Sequence, residues 1–470
     1  MNKLLLFLIF LCSTTFAVTG QYSMEITPVG SFQLHGTGVF KEMAQDSVLT
    51  MYDCMRYAVE NSPAVRKQMY ENDTYAAEQI SSVASFFPSL STGVSARYNF
   101  GRAIDPETNT YVNTTTFSNG YEISSSLPVF NGGQLVNQFR RAKINRQSGM
   151  NDLRKAKDDL ALNTMEAYIN VIYYLGTTRF AEEKFEESKR MLYKIHRQEE
   201  LGLKGKADVA QIEAQVAWDN YNLTYQQNML NTVMLKLKEY MNYPLDAVLK
   251  VDTSDILAPN NLLMNESVED IYNFAKETNP TALQAEYKLN AGKLTHLIQK
   301  GRLFPSIYLS AGAYTSYFDN LKSDVAPATF NSQFKNNRGE YLSFGVQIPL
   351  FDGLSRVREV RRARNNVRIA EEQQNEILRQ LYTAITQAVQ ERDGFAKESI
   401  QMERKLKSDE IAYEVTLRKF EEGLMSPLDL QTSANILIES KAMLLQKKLM
   451  YLLKCKQVDY YKGGQLTIDN

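Results

Sequence analysis

Cysteine and histidine are scarce, at three each in 470 residues. Cys12 falls in the N-terminal leader, leaving Cys54 and Cys455 near opposite ends of the chain, too few for a disulfide framework. His35, His196 and His296 never stand at ligand spacing, so no metal site is expected. No strand-to-helix junction carries Gly-x-Ser-x-Gly, a P-loop or a dinucleotide fingerprint, so neither an enzyme nor a cofactor is expected. An excess of one charge is missing as well: 53 Lys+Arg stand against 54 Asp+Glu, which argues against a nucleic-acid partner. Beyond the leader no apolar run approaches the roughly eighteen residues of a membrane helix. A chain of this kind that crosses a membrane does so with strands.

The leader itself, MNKLLLFLIFLCSTTFAVTG, has a lysine, an apolar run from Leu4 to Leu11 and small residues at Ala17 and Gly20, which predicts a cleaved secretory signal. Ile9-Phe10-Leu11 lacks the small residue that precedes a bacterial lipoprotein cysteine, so no lipid anchor is predicted.

The rest of the chain is written twice. NSPAV at 61–65 returns as TNPTA at 278–282, and FFPSLS at 86–91 as LFPSIY at 303–308. LPVFNGG at 127–133 returns as IPLFDGL at 348–354, and the tip-like segments LGLKGKAD at 201–208 and EGLMSPLD at 422–429 correspond in the same way. The spacing between copies grows by four residues between the FPS and PVF landmarks, which predicts an insertion in a loop.

Within each copy the hydrophobic period changes. Helical patterns around Pro63 and Pro280, each suited to a helix first turn, give way to alternation. Leu90, Val94, Ala96, Tyr98 and Phe100 share one face of a strand against Ser91, Gly93, Ser95, Arg97 and Asn99. Tyr121 to Val129, Ile307 to Ala313 and Leu342 to Leu350 repeat the scheme, predicting four strands of about ten to twelve residues, the length of a tilted membrane strand. Polar stretches, Arg102 to Ser118 and Phe318 to Arg338, are expected as their connections.

After Pro128 and Gly132, and after Pro349 and Gly353, the pattern becomes helical for a very long run. Proline ends strand pairing and Asn/Asp-Gly permits the redirection into a helix. From Val360 to Phe395, Val360, Ala363, Val367, Ala370, Leu381, Ala384 and Ala388 are among residues spaced alternately three and four apart, a coiled-coil seam. Without proline from Gly133 to Leu201, the first long helix reaches roughly 100 Å at 1.5 Å per residue.

The expected layout is a signal peptide (1–20), an unassigned extension (21–48), first-repeat helices (49–87), a first membrane β-hairpin (88–130), and a first long helix with tip turn and return helix (131–243). A linker with second-repeat helices (244–302), a second hairpin (303–351), a second long helix with turn and return helix (352–462) and a tail (463–470) follow. The fold class is mainly α with transmembrane β. Four strands cannot close into a barrel, and open edges in hydrocarbon leave backbone groups unpaired, so sister chains must complete the cylinder.

In this order of elements, and in LTMYDCMRYAVENSP, the FPS segments, PVFNGG, PLFDGL and GLMSPLDL, the chain resembles the outer-membrane efflux duct family typified by TolC and OprM. The resemblance covers residues 49–462. It implies a homotrimer in the outer membrane of a Gram-negative cell, with a twelve-stranded barrel on a helical periplasmic tunnel. Its partners are then a periplasmic adaptor, an inner-membrane transporter and outer-membrane lipid. It further implies that Gly202, Leu203, Gly423 and Leu424 form adaptor-docking turns, and that Asp429, with Asp208 at the matching position, faces the periplasmic entrance. Where the family has a second acidic residue, this sequence has Thr432. The same residues serve a plainer role in capping helices. A trimeric adhesin and a periplasmic scaffold are the competing readings. The long separation of the strand pairs counts against the first, and the two-faced strands count against the second.

Overall fold

The computed structural model describes residues 48–104, 109–253, 266–322, 326–464 and 466. The expected signal peptide and nearly all of the unassigned extension lie outside these residues. A two-residue strand, β1 (Val48–Leu49), leads into α1 (Met51–Asn61) and α2 (Pro63–Ala84). Thr50 and Asp53 cap α1 reciprocally, and Ser62 caps α2 with Pro63 in its first turn, where a missing donor is harmless. Strands β2 (Ser89–Ile104) and β3 (Tyr111–Phe130) follow, then α3 (Gln134–Glu200) and the returning α4 (Lys206–Met241).

The second unit repeats the first. After β4 (Lys250–Val251), which pairs in parallel with β1, come α5 (Val268–Thr278) and α6 (Pro280–Gly301), capped by Ser267 and Asn279. Then come β5 (Ser306–Asn320), a short α7 (Phe330–Asn336), β6 (Gly339–Gln347), α8 (Ser355–Glu421) and α9 (Pro427–Tyr461). Helices α3 and α8 each have 67 residues, about 100 Å at 1.5 Å per residue. Each packs along its return helix, α3 on α4 and α8 on α9, while α6 touches both long helices.

The 3.5-residue seam of α8 is a physical one. Ala363, Leu381 and Ala388 are buried, and Val360, Val367, Ala370, Gln374, Ile377 and Ala384 are partly covered, while their neighbours face outward. Past Leu381 the covered stripe widens to Ile385, Val389, Arg392 and Ala396. Here α5 and α9 close over α8, and Ile271, Ala275, Ala282, Ile385 and Val458 form one cluster.

The four long strands make one antiparallel sheet in the order β2-β3-β5-β6, so the two units meet at β3 and β5. The strands run to 16, 20, 15 and 9 residues, three of them longer than the alternation predicts. Most of Arg102 to Ser118, expected as a polar connection, is strand. Thr115, Thr116, Tyr111 and Phe117 suit a pleated surface, and Thr116 and Phe117 have partners in Asn99 and Tyr98. Polarity marked this stretch as solvated, which does not make it irregular. The second polar stretch is likewise structured in part, since β5 continues to Asn320 and α7 lies inside it.

Candidate functional site

Paired residues of an antiparallel sheet share a face, so the register sorts every side chain. One face carries Leu90, Val94, Tyr98 and Phe100 of β2, Ile123 of β3, Leu309 and Ala311 of β5, and Leu342, Phe344 and Val346 of β6. Phe100 is 79 % exposed and Leu342 73 %, so most of this apolar band is left open by the helices among the described residues. The other face is small and polar, with Ser91 and Ser124 hydrogen bonded at 3.0 Å. Tyrosines from β5 and β6 lie over glycines of the adjacent strand: Tyr308 over Gly345, Tyr314 over Gly339 and Tyr341 over Gly312. Tyr341 also donates to Glu122 Oε1 at 3.2 Å.

Helix α7 stands on the apolar face, where Phe330 and Phe334 meet the ring of Tyr121 edge-on. It also finishes the ladder that β6 leaves incomplete. The Gln333 side chain accepts from Phe318 N at 2.9 Å and donates to Phe318 O at 2.8 Å, and Asn337 Nδ2 donates to Ser316 O at 2.8 Å. Two amide side chains thus satisfy backbone groups of β5 on its β6 side, beyond the last pairing with that strand, Tyr314 with Gly339.

The strand-to-helix junctions differ between units. Pro128 still pairs with Tyr308, and the register slips before Phe130, whereas Pro349 lies two residues beyond the end of β6. Gly132 and Gly133 have φ of +66° and +75°, while the matching Gly353 and Leu354 have +65° and +64°. A Cβ on Gly132 would sit 2.2 Å from Gly301 O; one on Gly353 would meet open space.

At the far end of the long helices the tip turns have the same construction. Gly202, at φ +74°, donates to Glu199 O at 2.8 Å while Leu203 N donates to Gln198 O at 2.8 Å. Gly423, at φ +78°, and Leu424 do the same to Phe420 O and Lys419 O. These paired bonds are the Schellman arrangement, which needs a left-handed residue and leaves the next side chain outside. Leu203 and Leu424 are accordingly 69 % and 71 % exposed.

Asp208 and Asp429 are both the third residue of a return helix. Asp208 Oδ2 accepts from Gly205 N at 3.2 Å. Asp429 Oδ2 accepts from Ser426 N at 3.2 Å and Ser426 Oγ at 2.7 Å, and these bonds hold its carboxyl below the ordinary aspartate range. Thr432 Oγ1 donates to Leu428 O, within its own helix. Packing brings the two tips together: Ile195, Val209, Ile212, Phe420 and Leu430 form one buried cluster, and Lys194 pairs with Glu421 at 3.1 Å. The sheet glycines, junctions and tips are therefore three separate places along the molecule, and the sequence-predicted residues lie at the junctions and the tips.

One charged cluster escaped the sequence reading. Arg392, almost fully buried, donates to Glu266 at 2.6 Å and to Asp393 at 2.9 Å, and Lys462 also reaches Glu266. Burial raises the Glu266 carboxyl, but hydrogen bonds from Lys462 and Arg392 outweigh it and hold the group below its usual range. Glu266 is more than a hundred residues from both Arg392 and Lys462 in the chain, and no local pattern joins it to them.

A family model described as outer membrane efflux protein matches residues 55–241 and 271–452. No curated protein matches the sequence. Among solved structures, the outer membrane protein VceC of Vibrio cholerae is similar over 88 % of this chain and 96 % of its own, at 15 % identity and a TM-score of 0.75. CusC, whose structures concern folding and transmembrane channel formation, covers 88 % of this chain and 92 % of its own at 18 % identity and a TM-score of 0.70. The CmeC outer membrane channel of Campylobacter jejuni covers 89 % of this chain and 87 % of its own, at 16 % identity and a TM-score of 0.70.

Proposed function

The chain belongs to the outer membrane efflux protein family, and on that premise we propose that three copies form a passive export conduit, with a twelve-stranded barrel in the outer membrane and a tunnel of paired helices beneath it. The observation that carries this reading is the sheet, with four strands, a largely uncovered apolar face and, among the described residues, no partner for the outer edges of β2 and β6. In hydrocarbon each unpaired backbone group costs several kcal/mol, which is removed when β6 of one copy meets β2 of the next. Two copies would make eight strands, whose interior is largely filled by side chains; three leave a lumen.

The conduit performs no chemistry of its own. Substrate is delivered by an inner-membrane transporter through a periplasmic adaptor, which docks on the exposed turns Gly202-Leu203 and Gly423-Leu424. Asp429, ionised and aimed by Ser426, would recur three times around the entrance and favour cations there, and Asp208 would add a second set. The signal peptide exports the chain.

The test is extraction of the full chain in detergent followed by electrophoresis with and without heating, then conductance in planar bilayers. A heat-modifiable trimer that conducts is the expected result. Recovery as a monomer without detergent removes the reading. If the trimer conducts, Asp429→Ala is expected to weaken cation preference and block by multivalent cations; unchanged selectivity removes Asp429 from the entrance.

A further inference from the structure

Two oxygens at the interface of α3 and α4 are buried without a hydrogen-bond partner: Gln215 Oε1 and Asp219 Oδ2. Both residues lie on α4, one helical turn apart, 6 % and 4 % exposed. Their other polar atoms are joined, Gln215 Nε2 donating to Asp219 Oδ1 at 2.6 Å. The two unpaired oxygens are thus the remaining corners of a carboxyl-carboxamide pair. With Asp219 ionised, both corners are acceptors, a costly arrangement away from water. A proton on Oδ2 makes one corner a donor, and Gln215 Oε1 is the acceptor on the same helix face.

The surroundings limit the alternatives. From α3, Lys184 acts on the carboxyl by its charge and Ser188 through its hydroxyl, which in the structure donates to Phe185 O at 3.0 Å. Glu187 of α3 lines a small neighbouring cavity beside Gln215, to which α9 contributes Pro427, Leu430 and Gln431, none of which titrates.

We propose that Asp219 is a protonation site of this helix pair: as an acid it closes a two-bond ring with Gln215 inside α4, and as a carboxylate it turns to Lys184 and Ser188 of α3. Burial is the largest influence on this group and raises it above the ordinary aspartate range, against the lowering pull of Lys184, Ser188 and Gln215. Asp219 lies thirteen residues into α4, about 20 Å from the tip end of that helix. Losing the proton moves its hydrogen bonding from within one helix to between two. The hairpin nearest the proposed entrance then has two bonding states selected by pH. This inference stands on the chain itself and does not depend on how many copies assemble.

The test compares infrared spectra of the full chain, carrying ¹³C in its aspartate carboxyls, with those of Asp219→Asn. In the difference, Asp219 is expected to keep a protonated-carboxyl band to higher pH than an ordinary aspartate, and to lose it as pH rises further. Asp152 and Asp158, also raised chiefly by burial, cancel in the difference. The wild type should lose thermal stability relative to the variant over the same interval. A raised aspartate contributes fully below its unfolded value of about 3.9, and its contribution is lost as pH rises through the folded value. Superimposable spectra, or stability profiles that remain parallel, overturn the proposal. If Asp219→Asn does not assemble, Ser188→Ala decides: it should leave the acid form unchanged and weaken only the base form, and an equal loss at every pH overturns the idea.

Discussion

Leu354 has a left-handed backbone at the position where the first unit has Gly133. For an L-residue this conformation costs about 1–2 kcal/mol, so Leu354→Gly should be neutral to stabilising by about 1 kcal/mol in thermal unfolding. Gly132→Ala should behave in the opposite way, because the added methyl meets Gly301 O at 2.2 Å as well as a positive φ, and loss of the folded chain is expected. Gly353→Ala, with the same φ in open space, should cost only about 1 kcal/mol. The repeated Asn/Asp-Gly made both junctions legible in the sequence. It could not distinguish the crowded copy from the open one, because the obstacle is a carbonyl 169 positions away in the chain. The Glu266 cluster was hidden for the same reason. Glu266→Gln should destabilise by about 2 kcal/mol, since Arg392 keeps Asp393 as a partner but loses a charge in a buried site. A lowered glutamate stabilises above its unfolded value of about 4.3, and that contribution disappears as pH falls through the folded value. The pH-unfolding curves of wild type and Glu266→Gln should therefore converge in acid.

Among the elements, the long helices were readable because a repeat held over many turns outweighs any local ambiguity. The burial of alternate threes and fours along α8 is that repeat in physical form. The seven-residue α7 was not readable, since Phe330–Asn336 carries no period and gains its place from contacts made on β5. Its value can be measured. Gln333→Leu removes both bonds to the Phe318 backbone, at a net cost of about 1 kcal/mol per bond, and hydrogen exchange at the Phe318 amide should accelerate while amides of β2 stay protected. The strands were found by alternation, but three of them were cut short in the reading, since threonine and asparagine resemble loop in composition and strand only beside a partner, and the fourth was carried three residues past its end at Gln347. Register is a tertiary fact, and Thr116 is placed by Asn99.

For the molecule as a whole, the duplication explains why two hairpins and two helical hairpins lie side by side with their tips packed around Phe420 and Ile195. The proposed membrane face makes a separate demand. Phe344→Arg places a charge on it, and at mid-membrane depth this costs about 2–4 kcal/mol per copy, so the yield of heat-resistant trimer should fall while helix content persists by circular dichroism. Phe344→Leu should preserve the yield. The two unmated flanks of the sheet have a kinetic corollary. In the proposed trimer a lone chain would not enter the bilayer at an acceptable energy, so productive insertion would depend on encounters between chains and rise more steeply than linearly with their number. Cells making very little of this protein would then degrade most of it, and a modest increase in synthesis would bring a disproportionate gain in finished conduits.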